Sequence, residues 1–218
     1  MVKIDLRTAQ LLNSRLFHDL VGAAGAINTG LEFLNDADGA DDALALMRKS
    51  ADRLNNRLGF FRVAFGLGGG AQGSLTLIDG GILVAGWYAD AKPTLMWPDT
   101  TAIGAVGNVP PTAVKTLMIL AMLAEECLPR GGEVSVDVAR IPEGLGLTVS
   151  ARGAGARAPD GVPAALSIKF EQEKLTSRNV AGYFAAALAN QLMARLESAE
   201  SLDTVQFASL VPVAALSD

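Results

Sequence analysis

Two early stretches of the chain place their seam residues at alternating intervals of three and four. One runs Asn13, Leu16, Leu20, Ala23, Ile27, Gly30, Leu34. The other runs Leu44, Met47, Ala51, Leu54, Leu58, Phe61, Phe65. That rhythm is the seam of a helix bundle or coiled coil. Between the stretches lies Asn35-Asp36-Ala37-Asp38-Gly39-Ala40-Asp41-Asp42, which reads as a turn. Asp41 or Asp42 is expected to cap the second helix and to favour its positive end. A connection this short makes the helices antiparallel neighbours. A lone hairpin leaves its apolar seam uncovered, so a second copy is expected to complete a dimeric four-helix bundle. The rest of the chain is the other candidate cover.

Gly66-Leu67-Gly68-Gly69-Gly70 ends the helical part. The expected division is residues 1–70 as a helical hairpin and residues 71–218 as a mixed domain. In the second part, Leu75 to Ala89 reads as a helix and Thr94 to Trp97 as a short strand stopped by Pro98. Pro110-Pro111 opens a helix to about Leu128. Glu133 to Val138 alternates with period two, Pro142-Glu143-Gly144 turns, and Leu145 to Ser150 returns. Gly153 to Gly161 reads as a loop, Asn179 to Leu196 as a helix, and Thr204 to Leu210 as a last strand. The expected class is α+β, a helical hairpin followed by an α/β sandwich.

Composition narrows the function classes. The net charge is −5 and the lysines and arginines are scattered, which argues against a nucleic-acid partner. The single cysteine, Cys127, cannot form an internal disulfide and reads as a small buried residue. No secretory signal is expected, because Val2 to Leu6 already read as the start of a folded helix. The most apolar run, Leu117 to Ala124, is far short of the ~20 residues that span a bilayer. A cytoplasmic protein with no membrane contact is the expectation. Trp87, Tyr88, Trp97 and Tyr183 are expected in the core.

His18 is the only histidine in the sequence. With Leu20 and Ile27 on the seam, it falls at the position pointing away from the bundle. Asp19 follows it, Arg15 lies one turn earlier, and Gly22 and Gly25 lie one and two turns on along the same face. Each helix-interior glycine costs roughly 0.5–1 kcal/mol against alanine. Two of them beside an exposed histidine point to close approach by another protein. A neutral imidazole is nucleophilic near pH 7, and an adjacent carboxylate can hold its tautomer or take its proton. His18 with Asp19 is therefore the candidate catalytic pair, and Arg15, Gly22 and Gly25 are the candidate docking residues. The competing plain reading is a surface histidine without chemistry.

The segment Leu16-Phe17-His18-Asp19-Leu20-Val21-Gly22-Ala23-Ala24-Gly25-Ala26-Ile27-Asn28-Thr29-Gly30-Leu31-Glu32 resembles the phosphoacceptor helix of ChpT-type histidine phosphotransferases of alphaproteobacteria. That helix is akin to the dimerisation helix of sensor kinases. Ala23 stands where those families commonly carry proline. Ala124-Glu125-Glu126-Cys127-Leu128-Pro129-Arg130-Gly131-Gly132 and Leu175-Thr176-Ser177-Arg178-Asn179-Val180-Ala181-Gly182-Tyr183-Phe184 are similar to the same family. The resemblance implies a homodimer and a second domain shaped like a kinase ATP-binding domain. It also implies phosphoryl transfer from the receiver domain of a hybrid kinase (CckA-like) to response regulators (CtrA-like, CpdR-like).

Against the kinase pattern, nucleotide binding is expected to be lost. The kinase motif Asp-x-Gly-x-Gly is matched here by Ala151-Arg152-Gly153-Ala154-Gly155, with alanine in place of the adenine-binding aspartate. An adenine amino group left unpaired costs roughly 1–3 kcal/mol. The magnesium-binding asparagine falls on Leu123, and Glu125 and Glu126 are the only oxygen ligands on that helix face. No second glycine-rich phosphate clasp is recognisable around Gly182. The chain is thus expected to hold no cofactor or metal, with Mg2+ supplied on the partner receiver. The alternatives are an ATP-dependent histidine kinase and a non-catalytic dimeric adaptor.

Overall fold

The computed structural model describes residues 4–34, 40–67 and 75–216. The glycine-rich break at residues 68–70 and most of the expected turn, residues 35–39, lie outside them. Helix α1 spans Leu6–Phe33, and its N-cap is Asp5, whose side chain accepts from the Thr8 amide at 2.7 Å. Helix α2 spans Ala40–Ala64. Asp41 and Asp42 stand inside its first turn rather than before it. They favour the positive end of the helix but do not cap it.

The two helices pack side by side as a hairpin. Ala23 and Gly30 of α1 and Ala43 and Ser50 of α2 are buried, while Leu16, Leu20, Ile27 and Leu34 are half-covered. Asn13, Leu44 and Leu58 of the expected seam remain exposed. At Gly30 a Cβ would run into the Met47 side chain and stand 3.2 Å from the Ala43 carbonyl oxygen. Glycine there lets the backbones approach more closely than any other residue would.

After the hairpin come α3 (Leu77–Tyr88), β1 (Thr94–Met96), α4 (Thr100–Val106) and α5 (Pro111–Glu126). Strands β2 (Glu133–Ile141) and β3 (Gly144–Arg152) form a hairpin. The short α6 (Val162–Ala165) and α7 (Val180–Gln191) precede a second hairpin of β4 (Leu196–Ser201) and β5 (Thr204–Pro212). The five strands make one sheet in the order β1-β2-β3-β5-β4, with only β1 and β2 parallel. The fold is mixed α+β, with five strands and seven α-helices among the described residues.

Helix α5 lies at the centre, against the sheet on one side and α3 and α7 on the other. Every residue from Leu117 to Ala124 is fully buried, which explains why this run has no polar face. Among the described residues no helix is long and apolar enough to cross a membrane. Along the sheet, Val136, Val149 and Phe207 share a register row that is buried, and the adjacent row Asp137, Thr148, Ala208 and Glu197 faces outward. Phe60, Phe61, Val63 and Ala64 at the end of α2 belong to the same core as α3, α5 and the sheet. The hairpin is therefore rooted in the sandwich rather than tethered to it.

Besides the unanticipated α6 and β4, two further elements differ from the sequence expectation. Helix α4 was not anticipated; Asp99 caps it by accepting from the Ala102 amide at 2.8 Å. The expected helix to Leu196 stops at Gln191, and β4 begins at Leu196. The stop is a left-handed turn at Met193 (φ 54°), closed by the Ala194 amide donating to the Ala189 carbonyl at 3.0 Å. Glycine ordinarily marks such a turn; methionine concealed it. Trp87, Tyr88 and Tyr183 are buried, Trp97 packs against the core, and the buried Cys127 thiol is pushed up to about 12 by desolvation.

Gly30→Val should force the helices apart. Overpacking of this kind costs roughly 1–3 kcal/mol, to be read as a lower urea midpoint by circular dichroism with an unchanged denaturant slope.

Candidate functional site

His18 sits midway along α1 with its side chain 89 % exposed. Its Nδ1 lies 3.5 Å from Oδ1 of Asp19, at the outer limit of a hydrogen bond. The Asp19 carboxylate is 28 % exposed and turns toward the protein. Nε2 of His18 thus faces solvent. One and two turns on, a Cβ built at Gly22 or at Gly25 would meet nothing within 4 Å. The face carrying the histidine is open and low.

Arg15 behaves differently from the other candidates. Its side chain is only 11 % exposed and forms an ion pair with Glu126 at the end of α5. It also donates from Nη1 to the carbonyls of Ser177 and Arg178, at 3.3 and 3.2 Å. Nearer the start of α1, Arg7 donates to the carbonyls of Gln172 and Leu175, and the Thr8 hydroxyl donates to the Gln172 side chain. A row of polar contacts therefore fixes one side of α1 to the segment before α7. His18, Gly22 and Gly25 stay on the free side.

Sequence reasoning missed the charged groups around Trp87. Arg57 of α2 lies over the Trp87 ring, its guanidinium carbon 3.2 Å from the ring centroid. The Trp87 indole N–H donates to Glu125 at 2.7 Å. Burial lowers the Arg57 guanidinium from its ordinary value, and the carboxylates of Glu125, Asp19 and Glu126 oppose that. The one available signal was an arginine placed three residues after Leu54 and four before Phe61, on the inward face of α2. Nothing in the sequence announced the Arg15–Glu126 pair.

The segment Ala151 to Gly155 is well tied. Ala151 is fully buried in β3, and Gly153 packs against the backbone of Gly131 and Gly132. Asp203, itself at φ 56°, accepts from the Gly155 amide at 2.7 Å. Leu123 is fully buried. Among the described residues no three His, Cys, Asp or Glu side chains are grouped to hold a metal ion.

Comparison with known proteins places the chain in a family. Residues 82–203 match the family model described as the histidine phosphotransferase C-terminal domain. The chain is 27 % identical over 199 residues to a protein named protein phosphotransferase ChpT from Brucella abortus (strain 2308), covering 91 % of this chain and 93 % of that one. It also superposes on a solved bacterial phosphotransferase with a TM-score of 0.80 and 25 % identity, covering 96 % of this chain and 98 % of that one.

Burial raises the Glu126 carboxyl from its usual value, and Arg15 opposes the rise. The folded protein thus holds the Glu126 proton more tightly than the unfolded chain does. That contribution to stability is present below the unfolded value of about 4.5 and is lost as the pH climbs through the folded one. Without Arg15 the rise is larger. Arg15→Ala should therefore cost roughly 3 kcal/mol at neutral pH, the lower end for breaking a buried pair. The deficit should shrink as the pH falls toward 4.5, and Glu126→Gln should recover part of it. Urea melts at several pH values check both points. On its sequence, its fold and these matches, the chain belongs to the ChpT-like histidine phosphotransferases.

Proposed function

We propose that His18 carries a phosphoryl group between receiver-domain aspartates of a phosphorelay, with Asp19 as its assistant and without binding of ATP. The observation that carries this reading is the exposed imidazole beside a carboxylate, on a helix face kept open by Gly22 and Gly25. Phosphoryl transfer is mostly positioning and charge neutralisation, so an open approach to the nucleophile is the main requirement.

The chemistry is as follows. The Nε2 lone pair of neutral His18 attacks phosphorus of the partner's aspartyl phosphate. The N–P bond forms as the P–O bond breaks, and the partner carboxylate leaves with that electron pair. The ring is then a cation bearing Nδ1–H, and the Asp19 carboxylate on that side stabilises it. Return transfer to a second aspartate reverses these steps. Mg2+ belongs to the receiver.

Gly22 and Gly25 are proposed to admit the receiver's loops. Arg15 is proposed to serve docking from below, by holding α1 at a fixed angle to the second unit. The working unit is proposed to be a homodimer. Phe17, Val21 and Leu31 on α1 and Leu44 and Leu58 on α2 are exposed apolar side chains that a second hairpin would cover. Residues 1–70 would form the dimerising and phosphotransfer unit, and residues 71–218 a kinase-like α/β unit. Loss of nucleotide binding in that unit is supported by three features. Ala151 and Leu123 offer no polar atom, Glu125 is engaged by Trp87, and Glu126 is engaged by Arg15. By resemblance, the donor is a CckA-like hybrid-kinase receiver and the acceptors are CtrA-like and CpdR-like regulators in the cytoplasm.

Incubation with a phosphorylated receiver domain in the absence of ATP should put acid-labile label on the protein and none on His18→Ala. Equal absence from both would favour the adaptor reading. Gly22→Leu fills the open face, so transfer should slow by at least about tenfold while light scattering reports an unchanged mass. An unchanged rate would remove the docking argument.

A further inference from the structure

Beside the last turns of α7, at the end away from the Arg15 contacts, lies a cavity of about 300 Å³ that phosphotransfer does not use. The buried side chains of Leu166, Ala186 and Leu196 make its apolar wall. Its polar groups are Ser167, Lys169, Asn190 and Arg195. They come from three places in the chain: the segment after α6, the end of α7 and the approach to β4. The third wall is fixed by the backbone. Met193 takes a left-handed conformation that side chains usually avoid, and the turn it makes brings Ala194 and Arg195 back beside α7. The Ser209 hydroxyl then holds the Arg195 carbonyl at 2.9 Å.

The polar groups share one chemistry. The chain carries an excess of acids, net −5, yet no carboxylate stands among the residues lining the cavity. Among the described residues, the side chains of Lys169 and Arg195 form no ion pair. The Ser167 hydroxyl accepts from the Lys169 amide at 3.2 Å and has its own proton to give. The cavity thus offers many donors and a positive charge next to an apolar wall.

We propose that this cavity binds a small organic anion, an acid group on a short apolar body. The Arg195 guanidinium takes the acid group as a planar fork, and Lys169 adds a second charge. Asn190 and Ser167 complete the donors, and the body lies against Leu166 and Leu196. The volume is at the lower end of the roughly 300–1,000 Å³ of ligand pockets, which suits a body of a few carbons rather than a nucleotide. None of the lining residues belongs to the segment Ala151 to Gly155. The site is independent of the phosphocarrier reading of His18.

Titration of the full-length protein with hexanoate and with hexyl phosphate, followed by its amide resonances, tests the proposal. At least one probe should give saturable shifts at Ser167, Lys169, Asn190 and Arg195, with a Kd of about 1 mM, ordinary for so small a ligand. The tighter of the two identifies the acid group. 1-Hexanol and hexylammonium have the same body without the negative charge, and should bind at least about tenfold more weakly. Lys169 and Arg195 are exposed, so their substitution should leave the fold intact. Arg195→Gln should weaken the better probe by about tenfold, and addition of Lys169→Gln should abolish saturation. No saturable shift with either probe at about ten times that concentration overturns the proposal. So does 1-hexanol binding as tightly as the anions, or undiminished affinity in the double variant. If the double variant fails to fold, the comparison with 1-hexanol and hexylammonium decides.

Discussion

The ion pair between Arg15 and Glu126 joins residues 111 positions apart and sets where α1 lies against the rest of the molecule. Neither group tolerates the junction alone. Burial pushes the Glu126 carboxyl up, and only the guanidinium opposes it with a full charge and a hydrogen bond. Arg15 in turn donates from Nη1 to the carbonyls of Ser177 and Arg178. A pair of this kind adds little net stability over an apolar substitute, because both ions lose water. What it provides is direction. A planar fork with several fixed acceptors admits few orientations, so α1 is held with one face against the second unit. The opposite face, with His18, is left to solvent.

The end of α2 belongs to the same core as α3, α5 and the sheet. Phe60 and Phe61 pack on Trp87, with ring centroids 4.6 and 5.4 Å away. The same indole carries the Arg57 guanidinium over its ring, and its N–H donates to Glu125. One tryptophan thus joins the aromatic core to Arg57 and Glu125. The hairpin by itself buries little beyond Ala23, Gly30, Ala43 and Ser50.

What the sequence made legible follows the range of the forces involved. The heptad spacing disclosed α1 and α2, and the period-two alternation of Glu133 to Val138 disclosed β2, because both patterns are written in consecutive residues. Pro110-Pro111 marked the start of α5 for the same reason. His18, Asp19, Gly22 and Gly25 could be set on one exposed face by helical geometry alone. The end of α7 was not legible, since Met193 adopts a left-handed conformation that side chains usually avoid. The cap at Asp99 was a local signal and could have been found. Arg15 was read as a surface neighbour of His18; its partner lies across the fold, and no local pattern encodes it. Arg57 was passed over because an arginine on a bundle helix ordinarily points to water.

The commitment of Glu125 and Glu126 bears on how the second unit is used. On the proposed reading, the helix that would carry magnesium ligands in a kinase instead ends in two carboxylates, one bonded to Trp87 and one to Arg15. A carboxylate that neutralises a buried arginine cannot also bind a divalent cation without releasing that arginine. Releasing it would free α1 from the carbonyls of Ser177 and Arg178. On the proposed reading, a metal held by Glu126 and a fixed α1 would compete for the same carboxylate. A kinase must bring its nucleotide domain to the histidine and withdraw it. A carrier that receives phosphate from outside gains nothing from that motion and needs the histidine face presented steadily. On that reading, the pairing of Glu125 and Glu126 at the end of α5 favours the second arrangement.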